Sequence, residues 1–342
     1  MRSIRNQLLV FILLISVFYF NSIMGQNSNK LQFISVKDNC FVNEHGDTII
    51  FRGFSVSDPD KLEKAGKWNK DLFSELKDWH INLVRFPVHP SAWRERGEEN
   101  YLKLLDEGIK MAEDNGIYVI IDWHIIGNLR TELFFNPIYN TTKTETFRFW
   151  KTIAARYKEN PTVAFYELFN EPTTYAGMLG KCTWQQHKEL IEEMIGIIYA
   201  HDTTVIPLVA GFNWGYDLKD VRYEPIAYPG VAYVSHPYPQ KREKPWEEKW
   251  ETDWGFVADR YPVICTEFGF MSADGPGAHI PVISDVSYGE AIINYFNKKG
   301  ISWVAWVFDP DWSPQLIKNW DYEPTMQGTF FKNKLTELNA GK

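Results

Sequence analysis

Eight short apolar segments recur along the chain, and segments with helical periodicity separate them. A short apolar run bounded by turn residues is typical of a buried strand. Strands that alternate with helices favour a parallel sheet. The eight segments are Thr48–Gly53, Ile81–Val88, Ile117–His124, Val163–Asn170, Thr204–Ala210, Val231–Tyr238, Pro262–Gly269 and Ser302–Phe308. This alternation predicts an α/β fold, a (β/α)8 TIM barrel.

The intervening segments carry helix signals. In Tyr101–Asn115 the apolar residues recur at helical spacing, and Gly116 ends the segment. Thr142–Glu145 and Thr183–Gln186 both match the capping-box pattern that opens a helix. Other helices are predicted at Asn69–Trp79, Trp246–Tyr261, Asp285–Lys299 and near the C-terminus.

A doubly wound open sheet is the competing architecture. No glycine-rich phosphate loop follows the first predicted strand, which disfavours that alternative. Upstream, residues 31–53 contain short strand-like runs around a turn at Glu44-His45-Gly46-Asp47. The predicted barrel therefore carries an N-terminal β-hairpin.

Residues 1–25 have the order of a secretory signal peptide. Arg2 and Arg5 precede the apolar run Leu8–Phe20, and we place cleavage near Gly25. The run is short for a membrane span, so no stable membrane insertion is expected. Residues 26–342 then form a single domain, in a secreted or periplasmic location.

Composition narrows the class of partner. The net charge is −8 and no basic stripe is present, which argues against nucleic acid. Aromatic residues make up 16% of the chain, which suits either carbohydrate rings or an aromatic core. The three cysteines cannot form a complete disulfide framework: Cys265 is expected in the core, and a Cys40–Cys182 bridge stays open.

Polar and aromatic residues cluster where the predicted strands end. Each has a structural reading: His124 or His236 alone is typical of a hydrogen-bonded packing histidine, and Arg85 could pair with Glu167 inside the core. Together they occupy one rim of a barrel, the rim where barrel enzymes hold their active sites. The candidate site residues are Arg85, His124, Asn170, Glu171, His236, Tyr238, Glu267 and Trp306.

Two of these residues are glutamates at the ends of predicted strands four and seven. If Glu171 and Glu267 converge, one can protonate a glycosidic oxygen while the other attacks the anomeric carbon. A separation of about 5–5.5 Å would mean retention through a covalent intermediate. The acid then needs a raised pKa, and the nucleophile needs a low pKa that Arg85 and Tyr238 would provide.

The full set of motifs resembles glycoside hydrolase family 5, the cellulase family of retaining (β/α)8 hydrolases. The matching motifs are Arg85, His124, Asn170-Glu171-Pro172, His236-Pro237-Tyr238, Thr266-Glu267-Phe268-Gly269 and Trp306. The resemblance implies that Glu171 is the acid/base and Glu267 the nucleophile. It also implies that Asn170 binds the 2-hydroxyl of the −1 sugar and that Arg85 and Tyr238 orient the nucleophile. His124 and His236 would line the −1 site, and Trp306 would form its floor.

Several further residues have two interpretations. Aromatic residues in the loops after the strands can stack on sugars or pack the rim: Trp93, Trp214, Tyr216, Trp312 and Trp320. The helical stripe Trp246, Trp250 and Trp254 is expected to pack against the barrel. Glu132 is expected to cap a neighbouring segment rather than bind sugar.

The favoured reading is a secreted endo-β-1,4-glucanase that acts on β-linked glucan polysaccharides or oligosaccharides. A β-mannanase or another β-glucan hydrolase uses the same residues and is the nearest alternative. Other classes are a metal-dependent barrel hydrolase using Asp122, His124 and His236, and a non-catalytic glycan-binding barrel. No cofactor or metal is implied, and a monomer is expected. Endo or exo action and the role of Glu167 stay open.

Overall fold

The computed structural model describes residues 31–339, in which eight parallel strands close into a barrel in chain order. Barrel strand 8 pairs with barrel strand 1, which completes the cylinder. The predicted (β/α)8 fold is therefore confirmed. The signal-peptide prediction for residues 1–25 lies outside the described residues. Barrel strands 1 to 8 are Arg52–Ser55, Leu83–Val88, Tyr118–Trp123, Val163–Glu167, Ile206–Ala210, Ala232–Val234, Val263–Cys265 and Ser302–Ala305.

Helices connect these strands, and two of them begin at the capping residues predicted from the sequence. Thr183 and Gln186 form the reciprocal capping box that was predicted. Thr142 caps its helix as well, but the Glu145 carboxylate binds Arg94 instead of completing the box. Within residues 31–339, none of the helices has the length and hydropathy to cross a membrane. The α-helices are Pro59–Lys64, Lys70–Asp78, Pro90–Arg96, Glu98–Asp114, Lys143–Tyr157, Trp184–Tyr199, Phe212–Gly215, Glu247–Asp253, Val286–Lys299 and Met326–Asn339.

The predicted strands run past the observed ones at the rim. Barrel strand 4 ends at Glu167 rather than Asn170, and barrel strand 7 ends at Cys265 rather than Gly269. The residues that follow Glu167 and Cys265 include apolar ones, as a strand would, but their backbone leaves the barrel sheet and forms loops. The Asn170 N–H, for example, bonds the Trp123 carbonyl at 3.3 Å.

The predicted helix Trp246–Tyr261 is interrupted. An α-helix covers Glu247–Asp253 and a 3-10 turn covers Gly255–Asp259. A Cβ at Gly255 would lie 1.8 Å from the Tyr295 hydroxyl, so the chain needs glycine to approach Tyr295 there. The tryptophan stripe on this segment is buried against Tyr288 and Tyr295, as expected for packing.

The N-terminal segment forms a small antiparallel sheet of Ser35–Lys37, Cys40–Val42 and Thr48–Ile49, which contains the predicted hairpin. The predicted first strand Thr48–Gly53 is therefore split between this sheet and the barrel. Phe41 packs edge-on against Phe51 and Phe165, with ring centroids 5.6 and 5.1 Å apart. The three cysteines are free, and Cys265 is buried as expected.

The barrel interior changes from apolar to polar along the strands. Because side chains alternate across a strand, residues two apart point the same way. Leu83, Ile120, Phe165 and Ile264 form an apolar layer inside the barrel. Two positions after each of these residues, toward the C-terminal rim, stand Arg85, Asp122, Glu167 and Thr266, all fully buried. This polar layer is the base of the candidate site.

Candidate active site

Arg85, on barrel strand 2, is the buried centre of the site. Its Nε donates to Glu167 at 2.6 Å, and its Nη1 donates to Glu267 at 3.2 Å. Its Nη2 reaches Asn170 at 2.6 Å and Asp122 at 3.0 Å. Burial opposes the charge, but the three carboxylates outweigh burial and raise the pKa of Arg85. The guanidinium therefore stays charged and fixes four side chains at once.

Glu267 follows barrel strand 7 and is 8% exposed. Arg85 binds one carboxylate oxygen, and the Tyr238 hydroxyl donates to the other at 2.9 Å. Burial nevertheless raises the pKa of Glu267, and the charge of Glu171 adds to this effect. His236, Arg85 and the Tyr238 hydroxyl oppose the rise without cancelling it. The low pKa expected for this residue is therefore not found, because desolvation and the second carboxylate dominate.

Glu171 lies outside the barrel sheet, on a small sheet at the rim. Glu171–Pro172 pairs in parallel with Ile126–Gly127, in the loop after barrel strand 3. The Glu171 N–H bonds the Ile125 carbonyl at 3.0 Å. Glu171 is 8% exposed, and its carboxylate lies 3.1 Å from Nδ1 of His236. The loop after barrel strand 3 thus holds the backbone that carries this carboxylate.

His236, after barrel strand 6, links both glutamates to the base of the site. Its Nε2 lies 3.0 Å from the Thr266 hydroxyl, which in turn contacts Glu167 at 2.7 Å. Burial lowers the pKa of His236, but Glu267, Glu167 and Glu171 outweigh burial and raise it to about 9. Gly215 lies against the ring at φ +67°, and a Cβ there would meet Nδ1 at 3.0 Å.

The two glutamates approach each other closely. One oxygen from each carboxylate and one nitrogen of His236 all lie within 4.8 Å of one another. In the described part of the chain this trio, rather than Asp122, His124 and His236, has the proximity of a cation site. It does not suit a metal, because the two ring nitrogens of His236 already bond Glu171 and Thr266, and a histidine ligand needs a free lone pair.

His124 and Trp306 form another side of the site. Nδ1 of His124 lies 2.6 Å from Asp122, and the ring stacks on Trp306 with centroids 5.6 Å apart. Burial lowers the pKa of His124, and the charges of His89 and Arg85 lower it further. Burial also raises the pKa of Asp122. Asp122 also lies 3.0 Å from the Arg85 guanidinium, whose charge opposes this rise.

The structure brings all eight predicted site residues together and joins them to Asp122, Glu167 and Thr266. From the sequence, these three are predicted only as a possible metal ligand, a possible partner of Arg85 and part of a motif. Asp122, Glu167 and Thr266 connect the others through Arg85, His124 and His236. A pattern in the sequence could have identified Asp122, Glu167 and Thr266. Each stands two positions after an inward apolar residue, which predicts an inward polar side chain.

A cleft of about 610 Å³ opens above these residues and is lined by Glu171, Glu267, Tyr238 and Trp306. Tyr175, Trp214 and Lys241 also line it. The Trp214 and Tyr175 rings lie 5.6 Å apart, and Nζ of Lys241 lies 5.0 Å from the Trp214 ring centroid.

The other aromatic residues that could stack on sugars or pack the rim differ in where they lie. Trp93 and Tyr216 are buried, which favours packing for both of them, and the Tyr216 hydroxyl bonds Asp253 at 2.8 Å. Trp312 is half-buried and stacks on Trp306 at 5.9 Å. Trp320 packs on Tyr322 away from the cleft. Glu132 accepts from the Lys143 N–H at 2.8 Å and so caps the following helix, as expected.

Comparison with known proteins gives a consistent result. The family model described as Cellulase (glycosyl hydrolase family 5) matches residues 42–311. The crystal structure of the beta-glucanase SdGluc5_26A from Saccharophagus degradans, in complex with cellotetraose, is 50% identical with a TM-score of 0.89. The match covers 90% of this chain and 94% of that chain.

More distant relatives are named endoglucanases. Endoglucanase A of Butyrivibrio fibrisolvens is 28% identical over 73% of this chain, and Endoglucanase 5 of Pectobacterium carotovorum subsp. carotovorum is 25% identical over 80%. The matches cover 56% and 50% of those two proteins, so the chain spans about half the length of these curated relatives.

Proposed function

Because this chain belongs to glycosyl hydrolase family 5, we propose that it is a retaining endo-β-1,4-glucanase that hydrolyses β-linked glucan chains. The observation that carries the proposal is the approach of Glu171 and Glu267, whose nearest oxygens lie within 4.8 Å. A close pair of carboxyl groups suits a covalent double displacement, whereas an inverting pair must leave room for a water molecule.

In the first step, Glu267 attacks the anomeric carbon. Arg85 and Tyr238 each hold one oxygen of this carboxylate, so its orientation is fixed before the sugar binds. The bond from the anomeric carbon to the leaving oxygen breaks, and Glu171 gives its proton to that oxygen. The product is a glycosyl ester on Glu267.

In the second step, Glu171 acts as a base. It takes a proton from a water molecule that attacks the anomeric carbon from the side the leaving group has vacated. The ester bond breaks, Glu267 regains its negative charge, and Glu171 is again protonated. One proton leaves with the first product and one returns from water, so the site is restored without any other reagent.

The −1 sugar would be recognised by groups around this pair. Nδ2 of Asn170 is buried and has no hydrogen-bond partner among the described residues, while its oxygen is held by Arg85. We assign this amide to the 2-hydroxyl of the sugar. Trp306 would be the stacking floor, and His124, stacked on Trp306, would line the site beside it.

A glucan is favoured over a mannan by one comparison. The 50% identical beta-glucanase of Saccharophagus degradans was crystallised with cellotetraose, a glucose tetramer. Secretion rests on the N-terminal segment alone, in which Arg2 and Arg5 precede the apolar run Leu8–Phe20.

A polysaccharide panel tests the proposal. Reducing ends are measured after incubation with carboxymethylcellulose, mixed-linkage glucan, glucomannan and galactomannan. We expect release from the glucans, and activity confined to galactomannan would overturn the glucanase assignment. Activity that EDTA abolishes would instead favour a metal-dependent reaction.

Isosteric variants separate an enzyme from a glycan-binding barrel. Glu171→Gln and Glu267→Gln should retain cellotetraose binding and lose turnover by orders of magnitude. Glu189→Gln, an exposed glutamate on the helix Trp184–Tyr199, is the matched control and should behave as wild type. Equal turnover in all four proteins would remove the enzyme assignment.

A further inference from the structure

Thr266 lies directly before Glu267, and its hydroxyl joins two charged side chains. It contacts Oε1 of Glu167 at 2.7 Å and Nε2 of His236 at 3.0 Å. Thr266, Glu167 and His236 are all fully buried. Neither Thr266 nor Glu167 faces the cleft, so neither is expected to touch a sugar.

The hydroxyl has one hydrogen, and its direction is determined by Glu167. An ionised carboxylate only accepts hydrogen bonds. Arg85 donates to Glu167 at 2.6 Å, and this charge together with that of His236 outweighs burial and lowers the pKa of Glu167. Thr266 must therefore donate to Glu167 and accept from His236. It follows that Nε2 of His236 carries a hydrogen.

The other ring nitrogen faces Glu171. Nδ1 lies 3.1 Å from Oε1 of Glu171, a distance that requires one hydrogen between the two atoms. With Nε2 already protonated, this hydrogen belongs either to Nδ1 of an imidazolium beside an ionised Glu171, or to Glu171 beside a neutral imidazole. His236 and Glu171 therefore share one proton.

We propose that Thr266, anchored by Glu167, is a positioning residue that fixes His236 in the Nε2–H tautomer, so that the shared proton can pass between Nδ1 of His236 and Oε1 of Glu171. The inference rests on the acid/base role proposed for Glu171. It assigns the shared proton as the one delivered to the leaving oxygen. After delivery, Glu171 is ionised and His236 is neutral, until water returns a proton to Glu171.

The fixed tautomer has a consequence for pH. If the shared proton is lost, the lone pair of Nδ1 faces an ionised carboxylate, which is repulsive. The His236–Glu171 pair therefore keeps its shared proton to higher pH than Glu171 would keep a proton beside a simple hydrogen-bond donor. The raised pKa of His236, about 9, agrees with this. The groups that act on the ring are Glu171, Glu167 and Glu267, and it in turn influences Asp122 and His124.

Thr266→Val is the informative variant, because it removes the hydroxyl and keeps the branched shape. Oε1 of Glu167 lies 3.5 Å from Nε2, and Arg85 holds Oε2 of the same carboxylate, so Oε1 replaces the hydroxyl poorly. The Nδ1–H tautomer then becomes available and stabilises ionised Glu171 as a simple donor. We expect the alkaline limb of kcat/KM to move about one pH unit lower, a tenfold change in the proton equilibrium.

Two further variants make the comparison specific. Thr266→Ser keeps the hydroxyl and should restore the alkaline limb toward that of the wild type. Thr146→Val removes another buried hydroxyl, one that bonds Trp123 at 3.2 Å, and should leave the limb unchanged. An equal fall in activity at every pH in Thr266→Val would indicate a purely structural role and overturn the proposal.

Nitrogen-15 NMR of the histidine ring tests the tautomer without any activity measurement. The full chain is labelled, and His236 is assigned by the signal missing from His236→Gln. In the wild type, Nε2 should remain protonated across the pH range while Nδ1 alone titrates. An unprotonated Nε2 would overturn the proposal whatever the substrate, whereas the correct tautomer in a chain without hydrolase activity would place the failure in the proposed function.

Discussion

The hydroxyl of Tyr238 donates to Oε1 of Glu267 over 2.9 Å, while Arg85 holds the opposite carboxylate oxygen at 3.2 Å. The two donors leave the carboxylate little freedom to rotate. They also oppose the burial and the neighbouring charge that raise the pKa of Glu267. Each donor therefore affects both the geometry and the ionisation of this residue.

Removing the first donor gives a prediction for pH. Tyr238→Phe should raise the pKa of Glu267, so the acidic limb of kcat/KM should move to higher pH, because the proposed nucleophile is the ionised form of Glu267. A hydrogen bond to a charged group contributes about 1.5–3 kcal/mol, so kcat/KM should fall roughly 10- to 150-fold. The pH–rate profile measures both effects.

The matched control is Tyr166→Phe, since Tyr166 is also buried and its hydroxyl lies 3.4 Å from the Ile153 carbonyl, on the outside of the barrel. It should retain the wild-type profile. An acidic limb that does not move in Tyr238→Phe would mean that the hydroxyl has no influence on the ionisation of Glu267.

Azide separates the roles of the two glutamates. With an aryl β-cellotrioside that has a good leaving group, Glu171→Ala should be rescued by azide and give a β-glycosyl azide, because azide attacks the glycosyl ester in place of water. Glu267→Ala should give the α-glycosyl azide by direct attack on the opposite face. The configuration of each product is read by proton NMR. The reverse pair of products would exchange the two assignments.

His236 should make stability depend on pH in a particular window. Its folded pKa, about 9, exceeds its usual value near 6.5, so its stabilising contribution is fully present below pH 6.5 and is lost as pH rises toward 9. The difference in unfolding free energy between the wild type and His236→Asn should therefore shrink over this range. Denaturant unfolding at several pH values measures it.

His124 provides the opposite case in the same site. Burial lowers its pKa, so its contribution is present above pH 6.5 and is lost as pH falls below that value. The difference between the wild type and His124→Asn should thus shrink toward acid pH rather than alkaline pH. Parallel pH dependences for the two variants would contradict the assigned charge states.

Trp214 is expected to bind the saccharide that departs. It lines the cleft with Glu171, and it is held at φ 55° between Asn213 and Gly215, which also have positive φ. Strain of this kind persists at binding sites when the surrounding structure enforces it. Trp214→Ala should lower kcat/KM for cellotetraose by about 5- to 30-fold, equivalent to about 1–2 kcal/mol.

The comparison substrate is β-cellotriosyl fluoride, whose leaving group is a single atom and does not need the tryptophan. Its hydrolysis should change little in Trp214→Ala. Tyr223→Ala, which removes an aromatic ring that is 81% exposed and lies outside the cleft, should affect neither substrate. Equal losses on both substrates would place Trp214 in the general architecture of the site.

Much of the site could be predicted because parallel strands share one polarity. Glu171 and Glu267 lie 96 positions apart in the chain, but each follows a strand, and closing the barrel brings all strand ends to one rim. Inward alternation would also have identified Glu167 and Thr266, whose side chains alternate with Phe165 and Ile264. The alternation of side chains along a strand does not predict which side chain on another strand each residue contacts.

The aromatic loop residues mark the limit of prediction from sequence. Trp214 and Tyr216 are two residues apart and have similar composition around them, but one lines the cleft and the other is buried on Asp253. Consecutive positive φ values at Asn213, Trp214 and Gly215 turn the chain between the two rings; asparagine and glycine favour such values, but tryptophan does not.

The sequence by itself determined the barrel and placed Glu171 and Glu267 at the same rim, because apolar periodicity and strand polarity can be read from local sequence. Only the tertiary structure decided the distance between Glu171 and Glu267, the raised pKa of Glu267 and the hydrogen-bond direction at Thr266. These depend on desolvation and on charges brought together from strands far apart in the chain, and such interactions have no local signal.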